Sequence, residues 1–266
     1  MITPRISASN YSNSAPLVWS FLYGSRRGQF ELIMDNAPAR SAELLAQKRV
    51  DAALVPVIEY QRIKDVLLVP DVCVGAKEQV RSVCLVTTGA DLPDVETVAL
   101  DVSSKTSVAL TKIIFQEFLE REPVYKPAKP DLAEMLSAAD CALLIGDPAL
   151  TVDETKYRKF DLAETWKKYT GFGFVFAMWM TNAEKSAVAK TIDFAAMRDE
   201  GLSHLDEIST NYAAEISLDA DDLKKYLLEN ISYTIDNSMR EGLSLYFELA
   251  RKHQLIGRLK PLQFTD

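Results

Sequence analysis

Histidine is nearly missing from this chain. Only His204 and His253 occur, both in the C-terminal third, which is too little for a histidine-based metal centre or a Ser-His-Asp triad. Cysteine is scarce as well. Cys73, Cys84 and Cys141 are an odd number, widely spaced, and sit in apolar runs such as Val83-Cys84-Leu85-Val86 and Cys141-Ala142-Leu143-Leu144. Reduced, buried thiols are expected rather than a disulfide, a zinc site or a nucleophile. No apolar run approaches the ~20 residues that span a bilayer. The start, Met1-Ile-Thr-Pro-Arg5, passes directly into polar Ser7, Ser9 and Asn10, without a signal peptide's apolar stretch or cleavage site. A cytoplasmic protein with no membrane partner is expected. Positive charge is in deficit, 30 Lys and Arg against 38 Asp and Glu for a net charge of -8. Nucleic acid is excluded as a partner, because phosphate binding needs a concentrated basic face and Arg26-Arg27 reads as a solvated turn. An anionic small molecule remains admissible where helix N-termini supply local positive potential.

The composition, 48% hydrophobic and 26% charged, is that of a globular protein with material for one large or two small cores. The first half alternates strand and helix signals, the mark of a mostly parallel sheet covered by helices. Strand patterns cover 5–8, 30–34, 51–55, 66–74 and 80–87, and helices follow Pro16 and Pro38, residues suited to a first helical turn. A break at Thr88-Gly89-Ala90-Asp91-Leu92-Pro93 precedes a second βα series, with strands at 97–102, 142–145 and 174–180, a helix after Ser103-Ser104, and a capping-box-like start at Asp131-Leu-Ala-Glu134. From Asn182 only helices are expected, at 185–214, 219–231 and 238–255. The fold class read from this order is α/β: a two-lobed, type II periplasmic-binding-protein-like fold with the helical C-terminal segment packed on the first lobe. Residues 1–88 and 180–266 would form lobe one and 89–179 lobe two, with crossings near 88–93 and 178–182 and the ligand in the cleft between them.

Chemistry is expected in loops that follow strands. Ser9-Asn10-Tyr11-Ser12-Asn13-Ser14 offers hydroxyls and amides at a helix N-terminus, or is simply a capping loop. Asp101-Val-Ser-Ser104-Lys-Thr106-Ser107 joins free amides, hydroxyls and a helix dipole, as a carboxylate ligand requires, or is a generously capped helix. It is not a P-loop, for no Gly-x-x-x-x-Gly-Lys precedes it. Ser82 opens a strand heading for the hinge, with Arg81 free to pair with Asp71 or Glu78. Gly146 permits close backbone approach and Asp147 is a candidate helix cap, so that a structural strand-to-helix turn is the plainer reading there. The aromatic run from Trp166 to Trp179 is mostly core, with Phe172 or Phe176 turned toward the cleft.

Six segments in order, Asn13-Ser-Ala-Pro-Leu17, Val50-Asp-Ala-Ala-Leu-Val-Pro56, Val80-Arg-Ser-Val83, Leu100-Asp-Val-Ser-Ser-Lys-Thr-Ser107, Leu144-Ile-Gly-Asp-Pro-Ala-Leu150 and Thr170-Gly171 with Phe174-Val-Phe-Ala177, resemble the chorismate dehydratases of the futalosine route to menaquinone. The resemblance runs over about residues 4–180. Gly173 stands where that family's pattern has proline, and Ser9-Asn10 is polar for a first strand. The resemblance implies a hydro-lyase that converts chorismate to 3-enolpyruvylbenzoate, with no cofactor and no metal. Asn13 and Ser82 would be catalytic, and Ser12, Ser104, Thr106, Ser107, Gly146, Asp147 and Phe176 would bind substrate. None of the matched segments supplies an obvious base, so the substrate's own enolpyruvyl carboxylate is the expected proton acceptor, with Asp147 as the alternative. A homodimer is compatible with this reading. Other readings are a solute-binding protein, which the missing signal peptide opposes, a ligand-sensing domain, which lacks an attached DNA-binding module, and the related 1,4-dihydroxy-6-naphthoate synthase, whose expected site histidine is not found.

Overall fold

The strands follow one another as β1 (Arg5–Ser9), β2 (Glu31–Asp35), β3 (Ala52–Pro56), β4 (Val66–Ala76), β5 (Val83–Thr87), β6 (Thr97–Asp101), β7 (Val124–Ala128), β8 (Cys141–Ile145), β9 (Arg158–Asp161) and β10 (Phe174–Asn182) in a computed structural model that describes residues 3–265. Met1 and Ile2, part of the polar start noted above, lie outside the described residues. The strands form two sheets, ordered β2-β1-β3-β10-β4 and β7-β6-β8-β5-β9. Within each sheet the pairings β1–β2, β1–β3, β6–β7 and β6–β8 are parallel, whereas β10 runs antiparallel to β3 and β4, and β5 antiparallel to β8 and β9. The two sheets thus share one strand order, and each takes its single antiparallel strand from the far side of a chain crossing.

This order corrects the expected crossings. β5 belongs to the second sheet and the whole of β10 to the first, so the chain crosses at 77–82 and 171–173 rather than at 88–93 and 178–182. An apolar run such as Val-Cys-Leu-Val reads the same in either sheet, and only its partners decide. The Thr88-to-Pro93 break is a tight turn within the second lobe, where the Thr87 hydroxyl donates to the Ala90 carbonyl at 2.7 Å. β7 and β9 were not anticipated. Both are edge strands, β7 largely exposed and β9 half-buried, and β7 contains Pro127, which an edge tolerates.

The helices of the two lobes are α1 (Ala15–Leu22), α2 (Pro38–Ala46), α3 (Glu59–Arg62), α4 (Lys105–Ile113, extended by a π-helical turn over Ile114–Phe118), α5 (Leu132–Ala138), α6 (Asp147–Leu150) and α7 (Leu162–Thr170). Pro16 and Pro38 occupy first turns, and the Asp131 carboxylate accepts from the Glu134 amide at 2.9 Å, as their positions suggested. The expected helix at 185–214 divides into α8 (Ser186–Ala189), α9 (Phe194–Leu202) and α10 (Leu205–Ile216), because Asp193 caps a new start and the chain turns at Ser203-His204. α11 (Ala220–Lys225) continues as a π-helical turn over Tyr226–Asn230, and α12 (Asn237–Lys252) follows. α9 packs on α1 and β4, while α12 lies along β10 and also reaches α4, so the C-terminal helices cover the first lobe and touch the second. No helix among the described residues is long and apolar enough to cross a membrane.

The three cysteines are buried and unpaired, and burial pushes the Cys73 and Cys84 thiols up to about 12. α9 and α1 approach each other closely at Gly201. A Cβ there would stand 1.9 Å from the Pro16 carbonyl oxygen, so α9 can approach α1 only because that position carries no side chain. Gly201→Ala should therefore cost about 1–3 kcal/mol and lower the midpoint of thermal unfolding. An unchanged midpoint would mean that the two helices do not meet this closely.

Candidate functional site

Strands β1, β6 and β8 end facing a common space, and the loops that follow them carry its walls. The cleft is narrow in this structure, with room for about 50 Å³, and is partly open to solvent. Asn13, Ser9 and Ser14 line it from the first lobe and Ser104, Ser107 and Gly146 from the second, with Phe176 at its apolar side. Ser9 is buried and its hydroxyl meets that of Ser14 at 3.0 Å, which accounts for a polar residue at the end of a first strand. Asn13 lies on the short 3-10 turn Ser12–Ser14 that leads into α1. Ser104 caps α4, accepting from the Ser107 amide at 3.3 Å and sharing a hydrogen bond with the Ser107 hydroxyl at 2.9 Å. Two helix N-termini thus face one cleft from opposite lobes, with serine hydroxyls and the Asn13 carboxamide between them, an arrangement suited to an anion without any lining cation.

The lobes meet at a polar seam. The Asp147 carboxylate accepts from the Ser12 hydroxyl at 2.5 Å and from the Ser12 amide at 3.2 Å. Beside it, Gly146 adopts φ +64°, and a Cβ there would stand 2.7 Å from the Tyr11 ring. Glycine is required at Gly146 for both reasons. Burial raises the proton affinity of Asp147, and the Ser12 hydrogen bonds act in the opposite direction. Asp101, at the end of β6, is also raised by burial; one of its oxygens accepts from the Ser103 amide at 2.9 Å and the other has no hydrogen-bond partner.

Ser82 sits on the first crossing and is wholly buried, with its hydroxyl unpartnered. Its position is set by backbone contacts. The Ser82 carbonyl accepts from the Gly146 amide at 2.7 Å, and Asp161 accepts from the Val80 and Arg81 amides at 3.0 and 2.5 Å while capping α7 with its other oxygen. Arg81 is held at φ +60°. Its guanidinium pairs with Asp222 at 2.8 Å rather than with Asp71 or Glu78, which pair with Arg240 and Lys167.

The candidate residues therefore separate. Asn13, Ser104, Ser107, Gly146 and Phe176 line the cleft, and Ser82 lies beside it. Ser12 and Asp147 are engaged with each other. Asp147 is not the cap of α6, since Gly146 precedes that helix and the carboxylate turns to Ser12. Thr106 is fully buried, its hydroxyl accepting from the Ile58 amide at 3.2 Å, which ties α4 to the first lobe instead of opening on the cleft. Phe172 faces an outer groove beside Arg240 and Leu262. His204 stacks on Trp19 with ring centroids 3.7 Å apart and His253 pairs with Glu117, both away from the cleft. Sequence reasoning missed Tyr11, whose ring lines the cleft, and Tyr226, whose hydroxyl faces Ser82 and Asn13. Tyr226 lies more than 140 positions from Ser82 within a stretch read only as helix, so no local signal could have found it.

The Asp147 seam yields a test. Above its raised native pKa both folded and unfolded states carry the charge and the burial penalty is full. As pH falls through that value the native state takes up its proton first, and the penalty is gone below the unfolded value of 3.8. Asp147 therefore adds stability as pH falls, the reverse of Asp222 and Asp236, which ionic and hydrogen-bonding partners hold low. The stability difference between Asp147→Asn and the wild type, measured by denaturant titration from neutrality to about pH 4, should favour the variant most at neutral pH. A difference that does not vary with pH would place the carboxyl in water.

A family model for menaquinone biosynthesis matches residues 4–252. A chorismate dehydratase of Thermus thermophilus is 33% identical over 258 residues, covering 90% of this chain and 92% of that protein. Among solved structures, a protein of Archaeoglobus fulgidus superposes with a TM-score of 0.76 at 16% identity over 95% of this chain and 98% of the other. The periplasmic aliphatic sulphonate binding protein of Escherichia coli gives 0.64 at 16% identity over 99% and 94%. A Candida albicans protein described as having the generic periplasmic binding protein fold gives 0.67 at 12% identity over 98% and 92%. At such identities the structures speak for the fold alone, that of the periplasmic binding proteins. The sequence matches carry the assignment further: the chain belongs to the menaquinone-biosynthesis family.

Proposed function

We propose that this protein is a chorismate dehydratase, a hydro-lyase acting in the cytoplasm at the first step of the futalosine route to menaquinone. The observation that carries the reading is the placement of Asn13 on the cleft wall and the unpartnered Ser82 hydroxyl beside it, in a chain whose relative bears that activity. Chorismate is a dianion, and the cleft offers it amides and hydroxyls at two helix N-termini, with Ser104 and Ser107 on one side and Asn13 and Ser14 on the other. Phe176 provides an apolar surface for the ring.

In the reaction the substrate's enolpyruvyl carboxylate takes the C3 proton. The C3–H electron pair becomes the new ring double bond, and the C4 hydroxyl departs as water, taking up the proton that the carboxylate accepted from C3. Aromatisation drives the elimination, so the protein's task is to hold the carboxylate against C3 and to donate hydrogen bonds to the departing oxygen. Asn13 and Ser82 are the residues suited to that donation. Asp147 is a poorer base, because its carboxylate is already held by Ser12. The naphthoate-forming alternative gains nothing from His204 or His253, both engaged elsewhere.

Purified protein incubated with chorismate, with a chelator present and no cofactor added, should give a product lighter by one water that keeps its enolpyruvyl group, detected by mass spectrometry. Pyruvate release would point to a different lyase, and binding without turnover to a solute-binding or sensing protein. Asn13→Ala and Ser82→Ala should each lower kcat by roughly 100-fold while unfolding remains cooperative. Full activity in either variant would remove that residue from the mechanism.

A further inference from the structure

The helical turns that follow Asp219 present Asp222, Tyr226 and Asn230 at four-residue spacing, and all three meet the first crossing. Asp222 takes the Arg81 guanidinium at 2.8 Å, and Asn230 donates to the Gln79 carbonyl at 3.4 Å. Between them, the Tyr226 ring lies under the Arg81 guanidinium, 5.8 Å from its centroid, and its hydroxyl faces the side chains of Ser82 and Asn13. Tyr226 is 1% exposed. Neither its hydroxyl nor that of Ser82 closes a hydrogen bond in the described residues. Two adjacent buried hydroxyls left open, beside an amide that lines the cleft, are costly unless a bound group completes them. The π-helical turn begins at Tyr226 itself, and such turns recur at functional sites because they alter the facing of a side chain at a cost in helix regularity.

We propose that Tyr226 is a positioning residue for the elimination, donating its hydroxyl hydrogen to Ser82 so that the Ser82 hydroxyl points its own hydrogen at the departing C4 oxygen of the substrate. The inference rests on the dehydratase reading. Burial raises the phenol well above its ordinary range, so it stays a donor at any physiological pH. Tyr226 is not among the residues lining the cleft and acts through Ser82. The Arg81–Asp222 pair and the Asn230 contact keep its helix in register with the crossing that carries Ser82.

The test is Tyr226→Phe, which keeps the ring in the core, compared with Ser82→Ala and with the double variant, using chorismate as substrate. Tyr226→Phe should lower kcat by about ten-fold or more with KM little changed and unfolding still cooperative. The double variant should be no slower than Ser82→Ala alone. An unchanged kcat in Tyr226→Phe overturns the proposal, as does a loss that adds fully to that of Ser82→Ala. If wild-type protein leaves chorismate unchanged, the dehydratase reading itself fails, and that outcome is distinct from active wild type with an indifferent Tyr226.

Discussion

Everything in the site depends on the requirement that each sheet complete itself with an antiparallel strand delivered from across the molecule. β5 enters the second sheet directly after the first has taken β4, and β10 returns to the first sheet after the second is finished. Each crossing is therefore pinned at both ends by strands with fixed registers, and a residue on it cannot move independently of either lobe. Ser82 occupies such a place. Its neighbours on the crossing are fixed further by Asp161, one carboxylate that accepts from two amides of the crossing and two at the start of α7. Those contacts offset the left-handed backbone at Arg81, a conformation that costs an ordinary residue about 1 kcal/mol or more.

Across the cleft the lobes meet through groups that leave the ligand space open. Ser12 and Asp147 satisfy each other, the Tyr11 ring fits where Gly146 has no side chain, and Thr106 ties α4 to the Ile58 amide. Several residues that resembled ligand contacts thus hold the two walls at a set separation. The polar groups left facing the cleft beside its apolar wall are small and neutral, mainly serine hydroxyls and one carboxamide. Such groups bind anions by direction more than by net charge, which is consistent with an acidic protein acting on a dianion.

The C-terminal helices have a larger part than their composition suggested. α9 is locked on α1 through Gly201, α12 spans from β10 to α4, and the turns after Asp219 dock three side chains on the first crossing. Amphipathic periodicity identifies such helices as packed but says nothing of which strand or loop they meet. That is why Tyr226 was invisible in the sequence while Asn13 and Ser82 stood in recognisable segments.

The sequence by itself determined the two-lobed α/β class, the strands with buried apolar runs, the reduced cysteines, the helix starts at Pro16, Pro38 and Asp131, and the loops that carry Asn13, Ser104 and Gly146. These are local matters, set by periodicity, backbone preference and short spacing. Tertiary structure decided which sheet receives β5 and all of β10, whether edge strands such as β7 and β9 form, and whether Asp147 and Thr106 face a ligand or another part of the chain. Those outcomes depend on partners well outside the local stretch of chain, from the neighbouring β6 for β7 to the far lobe for Asp147. A buried hydroxyl or carboxylate has the same local preferences whichever partner it meets, and only the packed fold supplies that partner.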